Sequence, residues 1–422
     1  MGNRPMPQNP PDRTAAPSVY RRAIVLGLLI AVGAFAIDMY IPGFAAIARD
    51  LHTDPGTVQL SMTSFFVALA LGQVIYGPVS DAIGRRPPIF AGLGLFIAAC
   101  IAAAFAPSIT TLIAARFFQG LGAAATAVIP MAVIRDQHTG PEAARLLSLA
   151  MASLSVSPIL APVFGGILVQ YTSWRLIFAV LIAICAAVWV MVARQLPETL
   201  LPGNRVKLRP VGILVTYGRL LTARRFIAPI MIAACGQAVL FVFIAGSPFV
   251  FVTLHRVPPT LFGMLFALHA ICLIGISQFN APMLRRFGAR RLIGAASLAL
   301  SLAALAFAAL VLGGMTALWP LVLLTLFMFV CLGLILAPAF LTAMEPFGSV
   351  AGAAAAIGAG TEFTFSSATT FVMGMSADGS ARPMGIALAV TACGALAAWI
   401  YFARIPSEGR ITQGEETLSL PG

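Results

Sequence analysis

The stretch Gly77–Pro87, GPVSDAIGRRP, breaks an otherwise apolar chain with one acid, two arginines and two glycines. It is echoed 204 residues later by Ala281–Arg291, APMLRRFGARR: Pro78 matches Pro282, Gly84 matches Gly288 and Arg86 matches Arg290. Each stretch follows the second long apolar run of its half of the chain, and a basic segment lies between the halves. That spacing predicts two equal units related by a parallel repeat.

What surrounds the two turns decides their setting. Of the 422 residues, 60% are hydrophobic and 9% charged, and the mean hydropathy is +0.96. A soluble chain of this length needs far more charge to cover its surface. Apolar runs of about 20 residues, each able to cross a hydrocarbon core of about 30 Å at 1.5 Å per residue, recur from end to end. The expected fold class is therefore all-α membrane, with twelve transmembrane helices in two six-helix bundles.

The twelve spans are read as 22–47, 57–80, 87–106, 108–135, 143–170 and 174–194, then 225–252, 259–283, 291–313, 317–344, 348–376 and 381–403. Residues 1–21 read as a disordered cytoplasmic tail, polar and Pro-rich, with Met6 where a myristoylation motif wants Ser or Thr. Residues 22–196 form the first bundle, 197–224 a cytoplasmic linker holding the sole lysine (Lys207), 225–403 the second bundle, and 404–422 a cytoplasmic tail. With both ends inside, inward segments hold 21 of the 26 Lys and Arg; Arg49, Arg175, Arg256 and Arg382 fall outside and Arg116 within a span. This is the positive-inside asymmetry, and it accounts for the net charge of +12 through an anionic leaflet, with no nucleic-acid partner.

Six cysteines, Cys100, Cys185, Cys235, Cys272, Cys331 and Cys393, lie at unrelated spacings inside apolar runs, and read as packing residues without disulfide or metal. The four histidines show no ligand spacing. No HExxH, Ser/His/Asp or Cys/His set marks an enzyme, and a chain carrying its own repeat does not suit an oligomeric pore.

GPVSDAIGRR resembles the loop between helices 2 and 3 of the major facilitator superfamily, Gly-x-x-x-Asp-Arg-x-Gly-Arg-Arg, through Gly77, Asp81, Gly84, Arg85 and Arg86; Ala82 departs from the usual basic residue. Gly77 would allow close helix approach, Gly84 the turn, and Asp81 a contact with a positive helix end. The resemblance implies that this end is that of the eleventh helix, beginning near Ser349, and that Arg85 bridges to Asp136. RFFQGLGAA from Arg116, SPILAPVFGG from Ser157, SWRLIF, LPETL and DMYIPGF resemble the signatures of helices 4, 5, 6 and 1 in the twelve-span bicyclomycin- and chloramphenicol-resistance branch of drug:proton antiporters. In the second half the likeness runs mainly through AGAAAAIGAGTE. The implied function is proton-coupled efflux of small drug-like molecules by alternating access, protons being the coupling ion and no cofactor being needed. The implied setting is a bacterial cytoplasmic (inner) membrane and a monomer. A transporter of a sugar, amino acid or organic acid is the alternative.

The charge that most needs explaining is Asp38, mid-run in the first span. An ionised Asp there costs about 2.5–3.5 kcal/mol, so it should pair, face water or take a proton. Counting from the outer ends of their spans, Asp38 and Arg116 lie about 9 and 10 Å deep, a match that suggests coupling. Glu362 reaches a similar level from the other half, where the resembling exporters usually carry Gln. It reads as a second titrating group, a counter-charge for cationic substrates, or a carboxylate bonded to Thr361 and Thr364. Tyr40, Gln59, Gln119, Gln237, Phe241 and Phe249 are candidate pocket liners, isolated polar or aromatic groups on apolar helices. Pro158 and Pro162 should bend span 5, with Gly165 and Gly166 letting it pack closely.

Overall fold

A computed structural model describes residues 15–137, 140–200, 203, 205, 210–314 and 317–405. Met6, Lys207 and most of both expected tails lie outside the described residues. The chain is helical throughout the described part: α1 (Ala15–Asp38), α2 (Phe44–Asp50), α3 (Pro55–Ile83), α4 (Arg86–Ala104), α5 (Ile109–Gln137), α6 (Gly140–Tyr171) and α7 (Arg175–Gln195) precede a linker helix, α8 (Pro210–Thr222). Then come α9 (Arg224–Ser247), α10 (Pro259–Ser277), α11 (Asn280–Phe287), α12 (Ala289–Leu312), α13 (Leu318–Met344), α14 (Ala351–Met375) and α15 (Arg382–Ala403). Among the described residues, ten continuous or nearly continuous segments are long and apolar enough to cross a membrane. Helices α6 and α14, of 32 and 25 residues, are also long enough to do so.

Local chemistry sets the helix ends. Proline stands in the first turn of α3, α4, α10 and α15, where a missing N–H costs nothing. Asp54 caps α3 by accepting from the Thr57 backbone N–H at 2.9 Å. The first span is broken: α1 stops at Asp38, a short 3₁₀ turn covers Ile41–Gly43, and α2 follows. Pro42 explains the break, because it has no N–H for the Asp38 carbonyl four residues back and its ring would strike that oxygen.

Packing repeats between the halves. In the first, α3 and α4 pack on α5, α1 on α6, and α4 on α7; in the second, α10 and α12 pack on α13, α9 on α14, and α12 on α15. The bundles meet through α3 against α14 and α6 against α10, pairs exchanged by the same symmetry. Large apolar side chains on the outer faces stay uncovered, among them Leu302 (60%), Leu323 (64%) and Val390 (65%). Such a girdle is tolerable only against lipid.

Candidate functional site

The break after α1 shapes the deepest polar group of the first bundle. Because the Tyr40 N–H turns to Ile37 O, the carbonyl of Ala36 loses its usual helical donor. Arg116 of α5 takes that carbonyl at 3.2 Å. Its guanidinium also donates to Gln119 Oε1 at 2.5 Å and to Met62 S at 3.2 Å, and lies 4.4 Å from the ring centres of both Tyr40 and Phe65. Arg116 is completely buried, held by a carbonyl, an amide and two π faces. Tyr40 in turn bonds Ser61 Oγ at 2.7 Å, and Gln119 Nε2 donates to the Cys100 sulfur at 3.0 Å.

Asp38 is buried too, at 5% exposure, but its partner is Ser157 of α6, whose hydroxyl donates to Oδ2 at 3.3 Å. The matched depth of Asp38 and Arg116 does not translate into contact, since no hydrogen bond or ion pair joins them. Arg116 reaches the Ala36 carbonyl from α5, whereas Asp38 meets α6 through Ser157. Arg116 has uncharged acceptors instead.

The expected pocket liners divide among three places. Tyr40 and Gln119 belong to the sealed Arg116 cluster. Gln59 and Phe249 line a cleft of about 190 Å³ between the bundles, with Asp54, Met373 and Met384. Phe241 of α9 stacks on Phe66 of α3, centroids 4.1 Å apart, and lies 5.5 Å from Phe363 of α14, so its ring sits in the seam between bundles. Gln237, one turn earlier on α9, is partly buried, and Glu362 adjoins Phe363 near the middle of α14.

Span 5 is one helix, α6, with Pro158 and Pro162 inside it. A Cβ at Gly165 would strike the Met39 carbonyl, one at Gly166 that of Pro259, and one at Gly263 that of Pro162. Backbones of α6 and α10 thus approach directly, near the carboxyl end of α6 and the amino end of α10.

At the turn between α3 and α4, Arg85 donates from Nε and Nη2 to Asp136 at 2.8 and 3.1 Å, and from Nη1 to Asp81 at 2.5 Å and Ser80 at 2.8 Å. Gly84 has φ +103°, a region that favours glycine, and ends α3. Glu198, just past α7, accepts the backbone N–H groups of Arg85 and Arg86 at 2.8 and 3.1 Å, which places an anion at the amino end of α4. Burial works to raise the proton affinity of Glu198, but the donors at Arg85, Arg86, Leu200 and Thr199 outweigh it and hold the carboxyl below the usual carboxylate range. One expectation needs correcting: a Cβ at Gly77 would meet nothing within 4 Å, so Gly77 is not a close-approach residue. Asp81, half exposed, has Arg85 as a partner.

The second turn has the same backbone: Gly288 ends α11 with φ +76°. Arg290 donates to the carbonyls of Ala403, the last residue of α15, and of Ile405 just past it, as Arg86 does to Ala193 near the end of α7. Each half therefore ties the start of its third span to the end of its sixth. A sequence profile of the Major Facilitator Superfamily matches residues 26–360.

The chain belongs to the major facilitator superfamily.

It is accordingly a multi-pass membrane transporter and not an enzyme. Among curated relatives it is 36% identical to the uncharacterized MFS-type transporter YdgK of Bacillus subtilis, over 88% of this chain and 92% of that one. It is 31% identical to the bicyclomycin resistance protein homolog of Haemophilus influenzae, over 64% of this chain and 68% of that one. Among solved structures, the D-xylose–proton symporter superposes with a TM-score of 0.75 at 14% identity, covering 92% and 97% of the two chains, a likeness of fold. Within this superfamily fold, three site residues escaped sequence reasoning. Ser157 opened a quoted motif yet was not singled out as a partner for Asp38, and Glu198 stood in LPETL without an assigned contact. Phe66 lies in an apolar run where nothing distinguishes it from core.

Proposed function

We propose that the chain is a proton-coupled exporter of small amphipathic drugs, working by alternating access of its two bundles across a bacterial cytoplasmic membrane with both termini inside. The observation that carries this reading is Asp38: a buried acid at a helix break whose one bonded partner is the Ser157 hydroxyl. An unpaired charge there is costly, and a proton removes it. Asp38 and Ser157 sit on α1 and α6, and α6 packs directly on α10 of the other bundle. Rocking of the bundles would therefore change what surrounds the carboxylate, which is the requirement for exchanging a proton against a conformational cycle.

The seam supports a drug-like and not a sugar-like cargo. Its centre is the stack of Phe66, Phe241 and Phe363, contributed by both bundles, and parting them would offer flat apolar faces. The name of the bicyclomycin resistance relative agrees with that chemistry. The inner cluster of Arg85, Asp81, Asp136 and Glu198 would stiffen the first bundle as it moves. The test is a drug-susceptibility panel in an efflux-deficient bacterial host. The expected outcome is raised resistance to amphipathic antibiotics that disappears with Asp38→Asn, and resistance indifferent to that substitution would contradict the reading.

A further inference from the structure

Glu362 has no role in the contacts described so far. Among the described residues, the charged side chains deep within spans are Asp38, Arg116 and Glu362. Asp38 and Arg116 offset one another in sign within a single bundle. Glu362 is left over, and no hydrogen bond or ion pair joins it to a described residue. Its neighbours do not serve it: Thr361 donates to Ile357 O, and Thr364 is exposed.

Its orientation is set by the helix. Phe371 (48%), Val372 (62%) and Met375 (68%) mark the lipid face of α14, and the mean direction of these three lies about 130° round from Glu362 at about 100° per residue. One turn before it, a Cβ at Gly358 would meet Ile230 of α9 and Phe340 of α13, so this face turns inward. One turn after it, Ser366 is fully buried and its Oγ has no partner. Glu362 itself is partly accessible. An unpaired carboxylate and an unpaired hydroxyl thus share one inward face, beside the ring of Phe363 that meets Phe241 at the seam.

We propose that Glu362, with Ser366, is the recognition site for the positive head of an organic monocation, so that the preferred cargo is a cationic amphipath. The missing partner of Glu362 is then the cargo, whose apolar body lies against Phe241 and Phe363 when the seam parts. This rests on the drug-export reading above. The carboxylate supplies the charge that selects a cation over a neutral drug, and the aromatic faces favour a cation further.

The experiment compares tetraphenylphosphonium, a permanent monocation, with neutral chloramphenicol, measuring equilibrium binding to purified full-length protein and efflux from cells. Wild type should bind and export tetraphenylphosphonium. Glu362→Gln should bind it about tenfold more weakly while keeping its chloramphenicol affinity, which also shows that the variant is folded. Glu362→Asp should recover part of the cation affinity. Unchanged cation binding by Glu362→Gln, equal loss of both ligands, or a wild type that exports chloramphenicol yet does not bind the cation would overturn the cation site alone. A wild type that handles neither compound would overturn both this site and the export reading.

Discussion

At Glu198, Arg116 and Asp38 the same question arises, what an ionisable group does when water is scarce, and each residue answers it differently. Glu198 is answered by backbone: the freed N–H groups at the start of α4 bind it as they would any anion. Because those donors hold its carboxyl below the ordinary range, its contribution is present above the unfolded carboxylate value and is lost as pH falls through the lower folded value. Glu198→Gln should therefore lower the thermal stability of purified protein at neutral pH by about 1 kcal/mol. The gap from wild type should close on acidification, and a gap that persists in acid would show that the loss was one of packing. Arg116 is answered by a carbonyl, an amide and two rings. That outcome was not legible in sequence, since the free carbonyl of Ala36 exists only because the helix breaks, and the break had to be inferred from Pro42. Asp38 keeps only a hydroxyl.

Among the elements, α6 and α10 carry the clearest mechanical consequence. Gly166 and Gly263 let the two backbones touch across the bundles, near the carboxyl end of α6 and the amino end of α10, which the positive-inside reading places on the outer side. Gly263→Val should force the outer ends apart, so that a cysteine placed at Thr260 reacts faster with an impermeant thiol reagent from outside while transport falls. Unchanged labelling would mean the helices accommodate the side chain by sliding. Gly166 stands in the motif of span 5, where close packing in a membrane gives it a use, whereas nothing in the sequence singles out Gly263. Other elements were less legible. The first span was read as one helix to residue 47, although DMYIPGF contained the proline that divides it. The linker was read from its charges alone, whereas α8 buries Tyr217 and Leu220, and Leu220 packs with Phe226 and Ile230 at the inner end of the second bundle. A short amphipathic helix in a basic segment has a period too brief to stand out from the arginines around it.

Over the whole molecule, the two halves share a backbone plan and differ in charge. Gly84 and Gly288 both turn with positive φ, and Arg86 and Arg290 both reach the end of the last span of their half. The Arg85–Asp136 bridge has no counterpart in the repeat, where Ala289 stands at the position of Arg85. The inner charge cluster therefore belongs to the first bundle alone. The repeat was readable because turns need particular residues, whereas the seam was not, because Phe66 and Phe241 are apolar residues among many. Orientation rests on the distribution of arginine. A cysteine beside Arg256 or Arg382 should label from outside and one beside Arg85 should not, and the reverse pattern would invert the topology. The central claim is that the proton exchanged during drug export is carried by Asp38. Its most direct test is proton release on adding a neutral transported drug to purified protein in unbuffered solution, wild type against Asp38→Asn, with drug binding measured in parallel. Release from wild type and none from Asp38→Asn, at retained drug affinity, is the predicted result; equal release from both proteins would contradict it.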